Sequence, residues 1–339
     1  MRVPWGSFIR ASPVAVLVLV LALALGLAGC GGVAEPDRPD TEETLLLDFE
    51  PNAVHAGIYL AVERAFDEAE GVELTVRRPG ASTDALKLLQ AGRVDAAVLD
   101  IHDLGLAVER GADLVGVMAL VQRPLAAVIA QPAVRRPRAL EGRRVGVTGL
   151  PSDDAVLRSV VEGDGGDPDR VDDVTIGFQA VKALLARRVD AVTAFWNVEG
   201  VALKAHRPGI HEFRLDDFGA PAYPELVLAV TRTKLEDRRP EVKAIVDALQ
   251  RGYTEALVDP ESAVQAMIMR EEGLDRQTLS DQFSAVEAAF TAGVPAFGYL
   301  DEARLQAWAR WDARVGILKT PPDVARAFDT TLVGPASRD

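Results

Sequence analysis

The fold can be inferred from residues 44–76, TLLLDFEPNAVHAGIYLAVERAFDEAEGVELTV. Residues 44–48 and 72–76 are short apolar runs of the kind that form buried strands. Between them, residues 55–68 carry apolar side chains at the spacing of an amphipathic helix. A strand, a helix and a second strand in this order predict two parallel strands joined by a helix, which is the repeating unit of an α/β sheet.

The same alternation continues along the chain and predicts further strands at residues 96–99, 114–120, 125–129, 144–147, 174–176, 191–195 and 226–231. From Pro240 the pattern is helical almost to the end. We expect two α/β lobes, with lobe one formed by residues 44–129 plus 226–330 and lobe two by residues 130–225. Two chain crossings between the lobes would make a hinge. One continuous sheet would give a similar pattern and is the alternative.

The first thirty residues have the layout of a secretory signal followed by a lipid-attachment site. Arg2 and Arg10 precede an uncharged apolar run at residues 14–27. This run is short for a membrane span and has the length of a signal-peptide core. It ends in LAGC at residues 27–30, where small residues precede a cysteine as they do in a lipobox.

Cys30 is the only cysteine in the chain and can therefore form no internal disulfide. We predict that residues 1–29 are a signal peptide, that Cys30 carries a lipid, and that residues 30–43 are a flexible tether. The lipid would hold the protein outside the cytoplasm, at the outer face of the cytoplasmic membrane or in the periplasm. An ordinary signal peptide with an incidental cysteine is the alternative.

Composition restricts the classes of function. The chain has 37 basic and 51 acidic residues and a formal charge of -14, which argues against nucleic acid or an anionic lipid surface as a partner. The four histidines show no metal-ligand spacing, and the sequence has neither a GxSxG elbow nor a Walker loop. We therefore predict a binding protein that is not an enzyme, with no catalytic residue, metal or cofactor.

Candidate ligand-binding residues follow the ends of predicted strands, where open α/β sheets bind their ligands. Residues 48–52, DFEPN, and 195–199, FWNVE, are two such segments. A flat nitrogen heterocycle needs aromatic faces to stack on and a few fixed polar groups for its edge. We expect these groups to come from Asp48, Phe49, Asn52, His55, Tyr59, Asp100, Phe195, Trp196, Asn197, Glu199 and Tyr223.

Structural roles are the alternatives for several of these residues. Phe49 and Tyr59 can be core aromatics, and His55 can be a buried residue at a helix start, held by a carboxylate. Asp100 can cap the helix that follows it, since aspartate is a favoured cap. Glu199 can be one of the many glutamates found on helix surfaces.

Two segments carry a family resemblance. Residues 47–59, LDFEPNAVHAGIY, and 195–200, FWNVEG, resemble motifs of the thiamine-pyrimidine-precursor binding proteins, which share a superfamily with the eukaryotic thiamine pyrimidine synthase. Residues 149–155, GLPSDDA, also look like this family. Residues 86–95, LKLLQAGRVD, show a pattern shared with sulfonate and nitrate binders. The resemblance extends roughly over residues 45–311.

The resemblance implies a type II periplasmic-binding-protein fold and capture of a formylated or hydroxymethylated aminopyrimidine. The ligand would pass to the permease and ATPase subunits of an ABC importer, and Ser152 joins the candidate binding residues. Three departures concern the ligand: Phe49 replaces a frequent tryptophan, Phe195 replaces a frequent tyrosine, and residues 100–103, DIHD, differ from the usual polar-aromatic segment. Riboflavin or a sulfonate- or nitrate-type ligand is therefore an alternative.

Two other classes of function are alternatives to an importer component. The synthase members of the superfamily are enzymes that use a cysteine cluster for iron and consume a histidine. The sole cysteine of this chain, Cys30, cannot form such a cluster. A ligand sensor that signals to a separate membrane partner is the third class.

Overall fold

The computed structural model describes residues 41–80 and 85–334. The predicted signal peptide, Cys30 and the tether up to residue 40 lie outside the described residues. So do Ser82 and Thr83, either of which is predicted to cap the helix that follows. No helix within the described ranges combines the length and the apolar character needed to cross a membrane.

The strands of the described residues form two five-stranded sheets. In chain order they are β1 Thr41–Leu46, β2 Val72–Arg77, β3 Ala96–Asp100, β4 Leu114–Ala119, β5 Ala126–Ala130, β6 Arg144–Val147, β7 Asp172–Thr175, β8 Ala191–Phe195, β9 His211–Arg214 and β10 Leu226–Thr231. The first sheet has the order β2-β1-β3-β10-β4 and the second β7-β6-β8-β5-β9. The α/β prediction is confirmed, and the alternative of one continuous sheet is wrong.

The two sheets share one arrangement. Strands β1, β2 and β3 are parallel, as are β6, β7 and β8, which agrees with strand–helix–strand units. In the first sheet β10 runs antiparallel to β3 and β4, and in the second β5 runs antiparallel to β8 and β9. Strands β5 and β10 are the ones that the chain forms directly after it changes sheets. The two crossing segments touch there, since Glu225 N donates to Val121 O at 3.1 Å.

The helices cover the strands and form most of the C-terminal third. They are α1 Ala56–Glu63, α2 Phe66–Ala69, α3 Ala85–Gln90, α4 Ile101–Glu109, α5 Pro151–Gly163, α6 Ala180–Leu185, α7 Glu199–His206, α8 Arg232–Asp237, α9 Arg239–Val258, α10 Pro260–Arg270, α11 Arg276–Phe290, α12 Glu302–Val315 and α13 Val324–Ala327. Short 3-10 turns occupy Ala53–His55, Pro137–Leu140, Pro168–Arg170 and Leu215–Phe218.

Helix α1, which follows the first strand, is fixed by close packing against α9. A Cβ on Gly57 would lie 2.2 Å from the ring of Tyr253, and a Cβ on Gly252 would lie 2.2 Å from the carbonyl oxygen of Gly57. Only glycine permits these approaches. The Tyr253 hydroxyl also donates to the Val54 carbonyl oxygen at 2.6 Å, so α9 positions the loop that enters α1.

Four local predictions need correction. Residues 41–43 are predicted to end the flexible tether, but they form the first half of β1, which begins at Thr41. Residues 125–129 were assigned to lobe one, but β5 pairs with β8 and β9 of the second sheet, so the first crossing precedes β5. The helix predicted over residues 55–68 is interrupted at Ala65, whose φ of 51° places it in the left-handed region. Ser152 is a favoured cap type at the start of a helical pattern and is predicted from the sequence to cap α5, but the helix begins at Pro151 and its cap position is Leu150.

Candidate functional site

A cleft opens between the two sheets and is lined from both. Its empty space is about 1300 Å³ with the solvent at its mouth included. Residues just beyond the carboxyl ends of β1, β3, β6 and β8 line it, where ligands of α/β sheets bind. The starts of the antiparallel strands β5 and β10 complete the lining with Ala126 and Leu226.

The cleft brings together eight of the twelve side chains predicted to bind ligand. These are Asp48, Phe49, Asn52, Asp100, Ser152, Phe195, Asn197 and Glu199. The other four do not line it and are buried elsewhere: His55, Tyr59, Trp196 and Tyr223.

His55 lies behind the wall that Asp48 and Asn52 form. Its Nε2 is 2.8 Å from Asp48 Oδ1, and its Nδ1 accepts from Asn52 N at 3.2 Å. The side chain of Asn52 caps the turn before α1, since its Oδ1 accepts from Val54 N and its Nδ2 donates to Glu50 O, both at 3.0 Å. The alternative role for His55, a buried helix-start residue held by a carboxylate, is the one that the structure shows.

Two tyrosines have structural partners in place of a ligand. The Tyr59 hydroxyl donates to Glu271 Oε1 at 2.6 Å, in agreement with its core-aromatic alternative. The Tyr223 hydroxyl lies 3.1 Å from His102 Nε2, and its ring lies 5.7 Å from that of Trp311. Neither ring lines the cleft, so the structure does not bring Tyr59 and Tyr223 to the site where they are predicted to stack on a ligand.

Trp196 also has a structural role. Its side chain is 1% exposed, and its Nε1 donates to Pro124 O at 2.9 Å. The Arg214 guanidinium carbon covers the ring at 4.0 Å from the centroid, a cation–π distance. The Trp196 ring thus packs against Arg214 and does not line the cleft in which its stacking on a ligand is predicted.

Phe178 is an aromatic cleft residue that the sequence analysis missed. It lines the cleft, is 55% exposed, and lies 5.8 Å from Phe49 between ring centroids. It follows the end of β7 by a few residues, so the rule that selected Phe49 would also have selected it. Phe49 follows a first-sheet strand and Phe178 a second-sheet strand, so the two rings approach each other across the cleft.

Asn197 and Glu199 form the second-sheet wall, at the end of β8 and the start of α7. Asn197 is fully buried, and neither atom of its side-chain amide has a hydrogen-bond partner among the described residues. Glu199 Oε2 accepts from Phe195 N at 3.2 Å. Burial raises the pKa of the Glu199 carboxyl, although backbone N–H donors oppose the shift. Glu199 is thus a cleft residue and its surface alternative is wrong.

Asp153 builds the loop between β6 and α5, and its importance was also missed. Its Oδ2 accepts from Gly149 N at 2.7 Å and Leu150 N at 3.0 Å, and its Oδ1 accepts from Thr193 Oγ1 at 2.9 Å. This carboxylate ties β6, β8 and α5 together at the cleft. Ser152, one position earlier, lines the cleft without capping the helix.

Asp100, His102 and Glu225 form the floor of the cleft. One side-chain oxygen or ring nitrogen of each residue lies within 4.8 Å of those of the other two. Asp100 caps α4, because its Oδ1 accepts from His102 N at 2.7 Å, and it lines the cleft as well. The His102 ring lies between Asp312 Oδ2, 2.8 Å from Nδ1, and the Tyr223 hydroxyl. The sequence analysis missed His102 and Glu225.

The pKa values of two side chains at the floor, His102 and Glu225, are raised. Burial alone would lower the pKa of His102, but the negative charges of Asp312 and Asp100 raise it to about 10. Burial, with the charge of Asp100, raises the pKa of Glu225 to about 8. The spacing of the three groups suits a metal ion, but both nitrogens of His102 already have partners, so a metal would have to displace one of those hydrogen bonds.

The amino-acid sequence is similar to those of known pyrimidine-binding and pyrimidine-synthesising proteins. The sequence profile described as "NMT1/THI5 like" matches residues 52–263. The chain belongs to the NMT1/THI5-like family. A formylaminopyrimidine-binding protein of Halalkalibacterium halodurans is 30% identical over 250 residues, which are 73% of this chain and 76% of that protein. A 4-amino-5-hydroxymethyl-2-methylpyrimidine phosphate synthase of Legionella pneumophila is 26% identical, over 66% of this chain and 72% of that protein.

Solved structures identify the fold of this NMT1/THI5-like chain. The periplasmic aliphatic sulphonate-binding protein SsuA of Escherichia coli matches with a TM-score of 0.69 at 13% identity, over 89% of this chain and 96% of that chain. The type II periplasmic-binding-protein fold implied by the resemblance is confirmed. At this identity the likeness concerns the fold alone.

Proposed function

We propose that this chain is the substrate-binding component of an ABC importer and captures a thiamine pyrimidine precursor, an aminopyrimidine, in the cleft between its two sheets. The observation that carries the proposal is the second-sheet wall, where the fully buried Asn197 lines the cleft beside Glu199. Its side-chain amide has no hydrogen-bond partner within residues 41–80 and 85–334. A buried amide that makes no hydrogen bond costs about 1–3 kcal/mol, a cost that a bound ligand removes. The name of the Halalkalibacterium relative supports the choice of ligand.

The chemistry of an aminopyrimidine suits this wall. Its exocyclic amine is a donor beside a ring nitrogen that accepts or carries a proton. The Glu199 carboxylate, which lines the cleft, matches that edge with two parallel hydrogen bonds. The Asn197 amide offers one donor and one acceptor to the same ring or to its substituent.

The ring faces would contact Phe49 and Phe178, which approach each other across the cleft. Such a ligand contacts groups from both sheets and favours the closed arrangement, because only that arrangement makes both sets of contacts. The two crossing segments would then act as the hinge between lobes.

The proposed importer role also includes features of residues 1–30, which lie outside the described residues. We place the protein outside the cytoplasm, with a signal peptide at residues 1–29 and a lipid on Cys30 that anchors it to the membrane. The partners are a permease and an ATPase, as for other binding components of importers. Replacement of Cys30 by alanine should move the protein from the membrane fraction to the soluble fraction, and a variant that stays membrane-bound without detergent would contradict the anchor.

A second candidate function is pyrimidine synthesis, since a relative is named as a phosphate synthase. A cysteine cluster for iron cannot form in a chain whose only cysteine is Cys30. Binding therefore remains the proposal.

Mass spectrometry of small molecules released from the purified, denatured protein tests the proposal. We expect an aminopyrimidine. Calorimetry with the formylaminopyrimidine, and with riboflavin and taurine as comparators, gives the second test. Tighter binding of riboflavin or taurine than of the pyrimidine would contradict the ligand assignment.

A further inference from the structure

Negative side chains concentrate on the floor of the cleft. Asp100 and Glu225 line it, and Asp312 lies behind His102. Of the three carboxylates, only Asp312 has an ion-pair partner among the described residues, His102 at 2.8 Å. Glu225 is 1% exposed, and its Oε2 accepts from Leu125 N at 2.6 Å.

The described residues do not balance the charges of this floor. Three carboxylates face one imidazole, and buried carboxylates are stable only when they are paired or protonated. Burial, and after it the negative charge of Asp100, raises the pKa of Glu225 to about 8. An incoming cation would let both Asp100 and Glu225 ionise.

A second and independent observation indicates that a ligand completes this part of the cleft. The side-chain amide of Asn197 is fully buried, has no hydrogen-bond partner in the described part of the chain, and lines the same cleft. Leu125 connects it to the floor: its N–H donates to Glu225, and its carbonyl oxygen accepts from Trp196 N, the residue before Asn197, at 3.0 Å. The unpartnered amide and the excess carboxylate thus belong to adjoining parts of one site.

We infer that the ligand carries a positively charged amine that contacts Asp100 and Glu225, so that this chain prefers a pyrimidine with a free aminomethyl group to its neutral, formylated counterpart. This inference rests on the proposed function and specifies its ligand. An ammonium has three donors and can donate to two carboxylates at once. An amine fits better than a metal ion, because it leaves both hydrogen bonds of the His102 ring intact.

Calorimetry with two probes that share one ring tests this preference. The probes are 4-amino-5-aminomethyl-2-methylpyrimidine, charged at neutral pH, and its neutral N-formyl derivative, both with EDTA present. The charged probe should bind about tenfold more tightly, which corresponds to about 1.4 kcal/mol, because its ammonium makes charge-assisted hydrogen bonds to two carboxylates. Glu225→Gln and Asp100→Asn should each remove most of that difference. Asp154→Asn, an exposed acid on α5, is the matched control and should retain it.

Equal or tighter binding of the N-formyl probe would overturn the inference while leaving the proposed function in place, and so would a preference that EDTA abolishes. If neither pyrimidine binds, the proposed function is wrong, and melting experiments with benzylamine and benzyl alcohol still test the charge preference. Benzylamine should then raise the Tm of the parent protein and leave that of Glu225→Gln unchanged. No effect of benzylamine on the parent would overturn the inference.

Discussion

Two asparagines line the same cleft from opposite sheets and have opposite environments. Asn52, beyond the end of β1, uses its amide oxygen to cap Val54 and its amide nitrogen to bind the Glu50 carbonyl oxygen. Asn197, beyond the end of β8, is fully buried and uses neither atom. The first-sheet wall is therefore held by its own hydrogen bonds, whereas the second-sheet wall has hydrogen-bonding capacity left for a ligand. Variants of the two walls should accordingly separate stability from binding.

The largest effect is expected at Trp196, the structural member of the second-sheet wall. Trp196→Ala should lower the free energy of unfolding by about 3–5 kcal/mol, because it empties the space of a fully buried ring. Trp196→Phe keeps a ring under Arg214 but loses the hydrogen bond to Pro124. Urea denaturation with calorimetry checks both. If Trp196→Phe binds the pyrimidine more than about tenfold more weakly at unchanged stability, Trp196 does contact the ligand.

Glu199→Gln should have the next largest effect and should act on binding alone. The amide would turn one acceptor into a donor that faces the amine of the ligand. We expect a loss of about tenfold or more, from the 1.5–3 kcal/mol of a charge-assisted hydrogen bond. Glu162→Gln, an exposed acid on α5, is the control. If Glu199→Gln binds the pyrimidine with unchanged affinity, the carboxylate only accepts the hydrogen bond from Phe195 N and does not contact the ligand.

Asn52→Ala should instead lower stability, by about 1 kcal/mol, since it removes the cap of the turn that precedes α1. The effect should appear as a lower midpoint in urea. If the variant is as stable as the parent but binds the pyrimidine more weakly, Asn52 contacts the ligand as Asn197 does, and the proposed difference between the two walls is wrong.

A pH-dependent effect is expected at the floor. The pKa of Glu225 is raised from 4.5 to about 8, so its contribution to stability is fully present below pH 4.5 and is lost as the pH rises through about 8. Two charged groups face this carboxyl: the negative charge of Asp100 raises its pKa, and the positive charge of His102 lowers it. The Tm of Glu225→Gln, relative to that of the parent, should therefore increase between pH 5 and pH 8. A constant difference over this range would contradict the raised pKa.

The sequence predicted what depends on local pattern. The alternation of apolar runs and helical periods placed most strands, and the strand-end rule led to Asp48, Phe49, Asp100 and the segment around Asn197. The same rule applied to β7 would have found Phe178. The rule could not tell which strand-end side chains line the cleft. Trp196 and Asn197 are neighbours in the chain, but Trp196 is held by hydrogen bonds to Pro124 and Leu125 that the sequence does not reveal.

Long-range partners were outside the reach of the sequence. Glu225 belongs to the site because β10 returns to lie beside β3, which places it near Asp100. His102 is held by Asp312, a residue 210 positions away in the chain. The assignment of residues 125–129 to lobe one failed for a similar reason, since the sheet that an apolar strand joins is decided by pairing and not by its own composition.

Calorimetry and thermal melting of Asn197→Ala test most directly whether the second-sheet wall is a binding surface. The amide has no partner to lose, so its removal should not lower the Tm. Affinity for the aminopyrimidine should fall about tenfold, since about 1.4 kcal/mol corresponds to that factor. A variant that melts well below the parent yet binds the pyrimidine with unchanged affinity would show that Asn197 supports the fold and would contradict the account.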